Sequence, residues 1–356
     1  MNLESKNISY KTFALVAIFL VGNLIIRFPK GEGQEHSFIG FLSCFIVSSG
    51  LAYFLNRIHF SKNEFGMCLF ENYFKNNFLN LLLKFFVFLL LLFCFITTTK
   101  DYTGMLSDIR LQNFPVFLLA AVYLAVVLLL ALCKDRVVYF FSFTNLILIS
   151  LGIILMFLFS INLFNFSFLK EGLAFNGKNV LNQGLTFFIH SFGQIYLCAL
   201  FLAKNKNQNS KHGVVLGVLV GGVLLLICFL NVILSIGSQI INGLQYPYAS
   251  VTAMLVSKDA YNRMDVITYY IYFICNLIKS SVLLKLIYGL FKKKYINYIF
   301  LILTLFAALF FSTSEYLGAI LLTKTFNLIL LCLEILLPII VTLLLSRTKI
   351  KQKTDL

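Results

Sequence analysis

The chain has little charge and no tryptophan. Charged residues make up only 12% of its 356 residues, about half the share of an ordinary globular protein, whereas 60% are hydrophobic. The mean hydropathy is +0.91. These values exclude a soluble domain with a charged surface and predict an all-α integral membrane protein. No polar stretch is long enough to fold by itself, so residues 1–356 are expected to form a single membrane domain.

Motifs that carry chemistry are also scarce. The eight cysteines form no CxxC pair and no Cys/His metal spacing. GxSxG, P-loop and HExxH patterns are absent as well. We therefore expect no catalytic residue, no metal site and no cofactor. A membrane enzyme that uses His190 as a lone acid or base is the least favoured of the functions considered.

Long apolar windows are abundant. A helix needs about 20 mostly apolar residues to cross a bilayer, and such windows occur ten times. The polar start is not followed by a small-residue cleavage site, so the first window is predicted to be a retained span. The ten predicted spans are residues 11–28, 37–55, 80–99, 114–133, 137–159, 184–203, 213–236, 265–290, 295–312 and 325–346.

Positive charge is distributed unequally between the two ends of these spans. One side, with both termini, the connections after even-numbered spans, and Lys84, Lys279 and Lys285 near that side, holds 20 Lys and Arg residues. The other side holds nine, which together make the chain's 29. Since positive residues stay in the cytoplasm, both termini are predicted to be cytoplasmic. The net charge of +15 is then expected to face anionic lipid and does not indicate nucleic-acid binding.

A long outside connection after span five divides the spans into two halves of five. With an odd number of spans per half, the second half is inverted relative to the first. The half-repeats would cover residues 11–159 and 184–346, and residues 347–356 would form a basic cytoplasmic tail. Inverted repeats of this kind place the substrate at the midplane, where the first helix of each half is broken. Spans one and six are therefore predicted to be discontinuous helices that line a site.

Span six has the polar stretch "HSFGQIY" near its centre. His190 and Gln194 are four residues apart on one helical face, with Ser191 and Gly193 beside them. One interpretation is a pocket wall, in which Gly193 lets the backbone open. The alternative is a hydrogen bond between helices, which is common in membrane bundles.

Span eight carries a second polar face, in "CNLIKSSVLL". Asn276, Lys279 and Ser280 share this face by the three-and-four rule. Lys279 is interpreted either as a fixed cation beside a substrate or in place of a coupling metal ion, or as a side chain that snorkels to the cytoplasmic surface. A pair between Lys279 and Glu334 of span ten agrees with their depth, but depth does not establish that they are adjacent.

Smaller polar groups complete the predicted ligand-binding set: Gly22, Asn23 and Thr98. The threonines at 97–99 equally fit capping of the backbone near the membrane interface. Asn145 and Asn231 are predicted to form hydrogen bonds between helices.

The connection between spans seven and eight carries the most specific pattern. It reads "LQYPYASVTAMLVSKDAYNRMDVITYY", with Tyr246-Pro247, then Arg263 and Asp265, then Lys279 inside the following span. This order resembles the spore germination permeases, the B subunits of spore germinant receptors within the amino acid–polyamine–organocation (APC) superfamily. Three further stretches are similar to that family, so the resemblance covers nearly the whole chain: "RFPKGEGQEHSFIGFL", "LSDIRLQNFPVFLL" and "SFGQIYLCALF".

Three positions depart from the pattern of that family. Gln194 stands where members often carry Glu, which argues against a proton-linked role for this position. "CKDRVV" replaces a Gly-Leu-Glu-like turn after span four, and Phe114 replaces the usual Thr before Pro115.

The resemblance implies a LeuT/APC-like fold that acts mainly as a sensor in the spore inner membrane. A small germinant, usually an amino acid, would bind at the midplane between spans one, three, six and eight and help to trigger germination. The complex would include a larger membrane A subunit and a lipoprotein C subunit. The alternative function is a stand-alone amino-acid permease coupled to protons or cations.

Overall fold

The computed structural model describes most of the chain between residues 3 and 312. The described residues are 3–24, 37–55, 77–109, 114–172, 176–195, 197–198, 213–241, 243–244, 246–255, 265–291 and 294–312. Predicted span ten and the connection between spans one and two lie outside these ranges.

Within the described residues the protein is helical and contains no strand. The helices that correspond to predicted spans are Leu3–Leu24 (span one), Ser37–Leu55 (two), Asn77–Ile109 (three), Val116–Leu132 (four), Asp135–Phe159 (five), Gly213–Ile236 (seven), Asp265–Gly289 (eight) and Lys294–Ser312 (nine). Among these described helices, five contain a stretch long and apolar enough to cross a membrane, and spans one, two and four contain shorter apolar stretches. The prediction of an all-α membrane protein is confirmed at this level.

Short helices occupy the two longest connections that are described. They are Ser160–Leu163 (a 3-10 turn) and Ser167–Gly172 after span five, and Ser238–Ile241 and Pro247–Met254 between spans seven and eight. Pro247 lies in the first turn of its helix, where no intrahelical N–H donor is needed. Gly237 has a φ of 86°, which glycine adopts without strain, and it separates span seven from the short helix that follows.

Span three is longer than predicted, at Asn77–Ile109 instead of 80–99. The predicted span ended at Thr99, just before the charged residues Lys100 and Asp101. In the structure the hydroxyls of Thr98 and Thr103 donate to backbone carbonyls one turn earlier, at 2.7 and 2.9 Å. Because these hydroxyls are satisfied along the helix itself, they do not interrupt it.

Spans one, two, six and seven pack together, and glycines set their closest contacts. A Cβ placed on Gly217 of span seven would lie 2.5 Å from the Cβ of Val16 in span one. Spans two and six cross in the same manner, since a Cβ on Gly40 would lie 2.8 Å from the Cβ of Gln183. Small residues let membrane helices approach closely, and the van der Waals contact along the shared surface stabilises the crossing.

Spans three, four, eight and nine form a second packing group. Spans three and nine meet through the rings of Phe88 and Phe300, whose centroids are 4.5 Å apart. Span five contacts spans one and seven of the first group and span eight of the second. The Tyr270 hydroxyl of span eight donates to Asn145 Oδ1 of span five at 2.6 Å, which confirms the predicted role of Asn145 between helices.

Candidate functional site

Span six is interrupted at the polar stretch that the sequence singled out. Its α-helix begins at Gly177 and ends at Phe187, and a π-helix follows over Phe188–Phe192. The Gly193 N–H donates to the Phe188 carbonyl at 2.7 Å, and a turn follows. Such π segments inside α-helices often mark functional sites. The predicted interruption of span six is therefore present in the structure.

The start of span six lies seven residues earlier than predicted, at Gly177 instead of 184. The stretch "GKNVLNQ" is too polar to enter a hydropathy window. It nevertheless forms helix because one face is buried, through Val180, Gln183 and Phe187.

Span one is a regular helix through Gly22 and Asn23, so a break at that pair is not confirmed. Gly22 has a different role. A Cβ placed on it would lie 3.1 Å from the Cβ of Cys275 and 3.3 Å from the Cys275 carbonyl oxygen. Span one thus crosses span eight at van der Waals distance, and it also contacts the π segment of span six. Three elements that carry predicted site residues converge at this crossing.

Lys279 points into the bundle. Its side chain is only 3% exposed, and the ammonium lies 5.6 Å from the centre of the Phe19 ring of span one. A cation over an aromatic face is attracted by the ring quadrupole, more strongly where water is excluded. The snorkelling alternative does not describe this geometry, because the charge remains between spans one and eight.

Asn276 and Ser280 lie on the same face of span eight as Lys279. The Asn276 amide donates to the Tyr272 carbonyl at 2.8 Å. The Ser280 hydroxyl pairs with the Tyr123 hydroxyl of span four at 2.9 Å. Both residues are buried. The structure therefore brings Gly22, Asn276, Lys279 and Ser280 to one region of the bundle.

Two tyrosines next to this region were not predicted from the sequence. The Tyr123 ring lies 4.6 Å from the ring of Tyr102 in span three, and Tyr102 lies 5.8 Å from Phe273 of span eight. In the sequence, the only local feature that could mark Tyr102 and Tyr123 as site residues is a hydroxyl on an otherwise apolar ring. That signal is lost among 17 tyrosines and 40 phenylalanines.

Of the remaining predicted site residues, the structure describes the side chains of some and not of others. Gln194 is buried at the turn after the π segment, with 8% of its surface exposed. The Thr98 hydroxyl donates to the Cys94 carbonyl of its own helix, which matches the capping alternative. Arg263 and Glu334 lie outside the described residues entirely, and so do the side chains of four other residues: Asn23, His190, Ser191 and Asp265.

The Tyr-Pro pair begins the helix Pro247–Met254, which contacts spans seven and eight. Tyr246 is the residue immediately before Pro247–Met254 and is buried. A Cβ placed on Gly104 of span three would lie 3.4 Å from the Tyr246 hydroxyl. This pair therefore positions a connecting helix against span three, and its role in the described residues is structural.

Tyr248, one turn into that helix, forms a separate buried polar cluster. Its hydroxyl is beside the Cys228 thiol and the Asn231 amide of span seven. Burial raises the pKa of Tyr248 well above its ordinary value, so the phenol stays neutral. Neither the Tyr248 hydroxyl nor Asn231 Nδ2 has a hydrogen-bond partner among the described residues. Asn231, predicted to bond between helices, lies beside the Tyr248 hydroxyl of another helix, and its Oδ1 also accepts from Ser235 of its own helix at 3.4 Å.

A helical membrane bundle with an interrupted span and a buried lysine at a glycine crossing is typical of permease-like proteins. Comparison of the sequence with known families agrees. The chain belongs to the spore germination protein family of spore permeases, whose sequence model matches residues 8–319, from span one to beyond span nine. A search of curated proteins gives no match. The resemblance predicted from the sequence is therefore confirmed, and this family is permease-like and not enzymatic.

Proposed function

We propose that the chain is the B subunit of a nutrient germinant receptor, which binds a small germinant, an amino acid, and helps to trigger spore germination. Membership of the spore germination family supports the biological role. The observation that carries the proposed site is Lys279, a lysine buried against span one and not at the membrane surface. Intramembrane charges are costly and are retained where they serve a function.

We propose further that the fold is the ten-span, LeuT/APC-like inverted repeat. The two packing groups support this proposal. Spans one, two, six and seven contact one another, as do spans three, four, eight and nine. Each group consists of two pairs of spans whose members are five apart in the chain, spans one and six with two and seven, and three and eight with four and nine, which is the grouping that a 5+5 repeat produces.

The germinant site lies between spans one, three, six and eight in this proposal. The Lys279 ammonium attracts the germinant's carboxylate, because a charge in a water-excluded site acts through a low effective dielectric. The interrupted helix of span six supplies backbone groups that are not used within a regular helix. A ligand that binds one arrangement of the bundle tenfold more tightly than another shifts their equilibrium by about 1.4 kcal/mol.

The partners follow from the receptor role. A larger membrane A subunit and a lipoprotein C subunit complete the complex in the spore inner membrane. Both termini face the cytoplasm, where the excess of positive residues meets anionic lipid.

The experiment is germination of spores that carry Lys279→Met, scored against single amino acids at rising concentrations. A lost charge-assisted contact is worth roughly 1.5–3 kcal/mol, so the half-maximal germinant concentration should rise by about 10- to 150-fold. Lys178→Met is the matched control, because Lys178 is exposed at the start of span six. Unchanged dose–response curves at a normal protein level would remove Lys279 from the site.

A stand-alone amino-acid permease is the second candidate. The buried ammonium of Lys279 favours this function, because a fixed cation in the bundle can take the place of a coupling metal ion. Purified protein in vesicles separates the two functions. Amino-acid uptake without partner subunits indicates the permease, whereas a response that needs the A and C subunits indicates the receptor.

A further inference from the structure

An ion pair between a buried lysine and a partly exposed aspartate, whose side chain is 31% exposed, joins span eight to the connection between spans four and five. Lys285 is 7% exposed, and its ammonium lies 2.7 Å from Asp135 Oδ1. The same ammonium donates a hydrogen bond to the Cys133 carbonyl. The charge pattern predicts this end of the bundle to be cytoplasmic. The pair was not anticipated from the sequence, because its members are 150 residues apart.

Both acceptors lie at helix ends that meet in this connection. Cys133 caps the carboxyl end of the span-four helix, and its extended backbone (ψ 158°) turns the chain out of that helix. Asp135 is the first residue of the span-five helix. Only Cys133 and Lys134 separate the two helices. One ammonium therefore fastens the inner ends of two spans to a third.

Two further side-chain bonds join span eight to spans four and five, and both are neutral. They are the Tyr123–Ser280 pair and the bond from Tyr270 to Asn145. From Tyr270 to Lys285 the helix rises about 22 Å, most of the thickness of the hydrocarbon core. Span eight is thus attached at outer, middle and inner levels, and the inner attachment is the charged one.

This ion pair is a weak means of adding stability, because water screens the partly exposed Asp135 and the desolvation of Lys285 offsets much of the Coulombic attraction. The best-attested use of such pairs is to specify one of two arrangements. Lys279 and Ser280 lie about 9 Å or less above Lys285 on the same helix. A displacement of span eight at the candidate site is therefore transmitted directly to the ion pair.

We propose that Lys285 and Asp135 form a releasable latch at the inner end of the bundle. Germinant binding beside Lys279 breaks the latch, and the inner end of span five then separates from span eight while their outer ends stay bonded. Lys285 and Asp135 are positioning residues in this scheme, since neither contacts the germinant. The inference rests on the proposed receptor function and adds the place at which the bundle opens.

The test links the latch covalently. Asp135→Cys and Lys285→Cys are introduced in spores whose protein also carries replacements of Cys68, Cys133 and Cys332. A short bismethanethiosulfonate reagent bridges the two thiols, and dithiothreitol removes the bridge. The matched control pair is Asn145→Cys with Tyr270→Cys, which joins the same two spans at the outer level. Mass spectrometry of the protein verifies each bridge.

The expected result is a response that depends on the position of the bridge. Bridging 135 to 285 should slow germination at least tenfold, and dithiothreitol should restore it, whereas bridging 145 to 270 should leave the rate unchanged. Before bridging, the 135/285 variant lacks the latch and should germinate at a lower amino-acid concentration than its parent. A role confined to stability would lower the protein level without moving the half-maximal concentration.

Other outcomes overturn the proposal. If the bridged 135/285 protein responds as fast as its reduced form, or if both pairs block equally, the inner end does not separate as described. Thiols at 135 and 285 that never bridge would show that the two positions are not adjacent. If parent spores respond to no amino acid, the receptor function fails and the germinant-driven latch fails with it. A response in the parent with no effect of the bridge overturns the latch alone.

Discussion

Replacement of Gly22 by alanine tests the crossing of spans one and eight, on which the candidate site depends. The added Cβ would lie 3.1 Å from the Cys275 Cβ and 3.3 Å from two backbone atoms of that residue. Contacts of this length require one helix to move by a few tenths of an ångström. The obstacle is largely backbone, which cannot rotate away as a side-chain end would.

Two effects of the substitution oppose each other. Alanine in a helix is more favourable than glycine by roughly 0.5–1 kcal/mol. Overpacking of a close contact costs about 1–3 kcal/mol. We therefore expect Gly22→Ala to be neutral or destabilising, by up to roughly 2 kcal/mol. Gly50→Ala is the control, since a Cβ on Gly50 of span two meets nothing within 4 Å. This variant therefore has the favourable helix propensity of alanine without the overpacking.

The assay is thermal unfolding of the purified protein in lipid nanodiscs, with the two variants and the parent measured side by side. Gly50→Ala should unfold at or above the temperature of the parent, and Gly22→Ala should unfold below Gly50→Ala. The germinant dose–response should shift for Gly22→Ala only. A Gly22→Ala protein as stable as Gly50→Ala, with an unchanged response, would refute the close crossing at Cys275.

Two further predictions concern tyrosine hydroxyls and helix packing. Tyr270→Phe removes the 2.6 Å bond to Asn145 and should lower the free energy of unfolding by about 1 kcal/mol. Tyr248→Phe removes a hydroxyl with no partner among the described residues, so the free energy of unfolding should stay equal or rise. Thermal unfolding of the two variants compares them, and an equal loss in both would contradict the hydrogen-bond assignment. Gly217→Val places its Cβ against Val16 at 2.5 Å and should prevent the contact of spans one and seven, so the amount of folded protein in membranes should fall, unlike for Gly50→Ala. A normal yield of folded Gly217→Val would contradict that contact.

Local sequence patterns predicted the helices well where apolarity alone decides the outcome. Spans two, seven, eight and nine agree with their predicted ranges within about one residue, because burying backbone polar groups in lipid requires continuous helix. The errors occur where polar residues are part of a helix. Span three continues beyond Thr99 because its hydroxyls are bonded to their own helix. Span six begins at Gly177 because one face of its polar first turns is buried. A hydropathy window detects neither feature.

The sequence by itself determined the class of the protein, most of its spans and the interruption of span six. Apolar length and the polar stretch from His190 to Gln194 are properties of contiguous residues. Only the tertiary structure decided which way Lys279 points, because snorkelling and burial require the same side chain at the same depth. The pairing of Lys285 with Asp135, and of Tyr123 with Ser280, was equally undetermined. Such contacts join residues about 150 apart, and they exist only because the packing of the helices, with glycine at the closest crossings, brings those spans together.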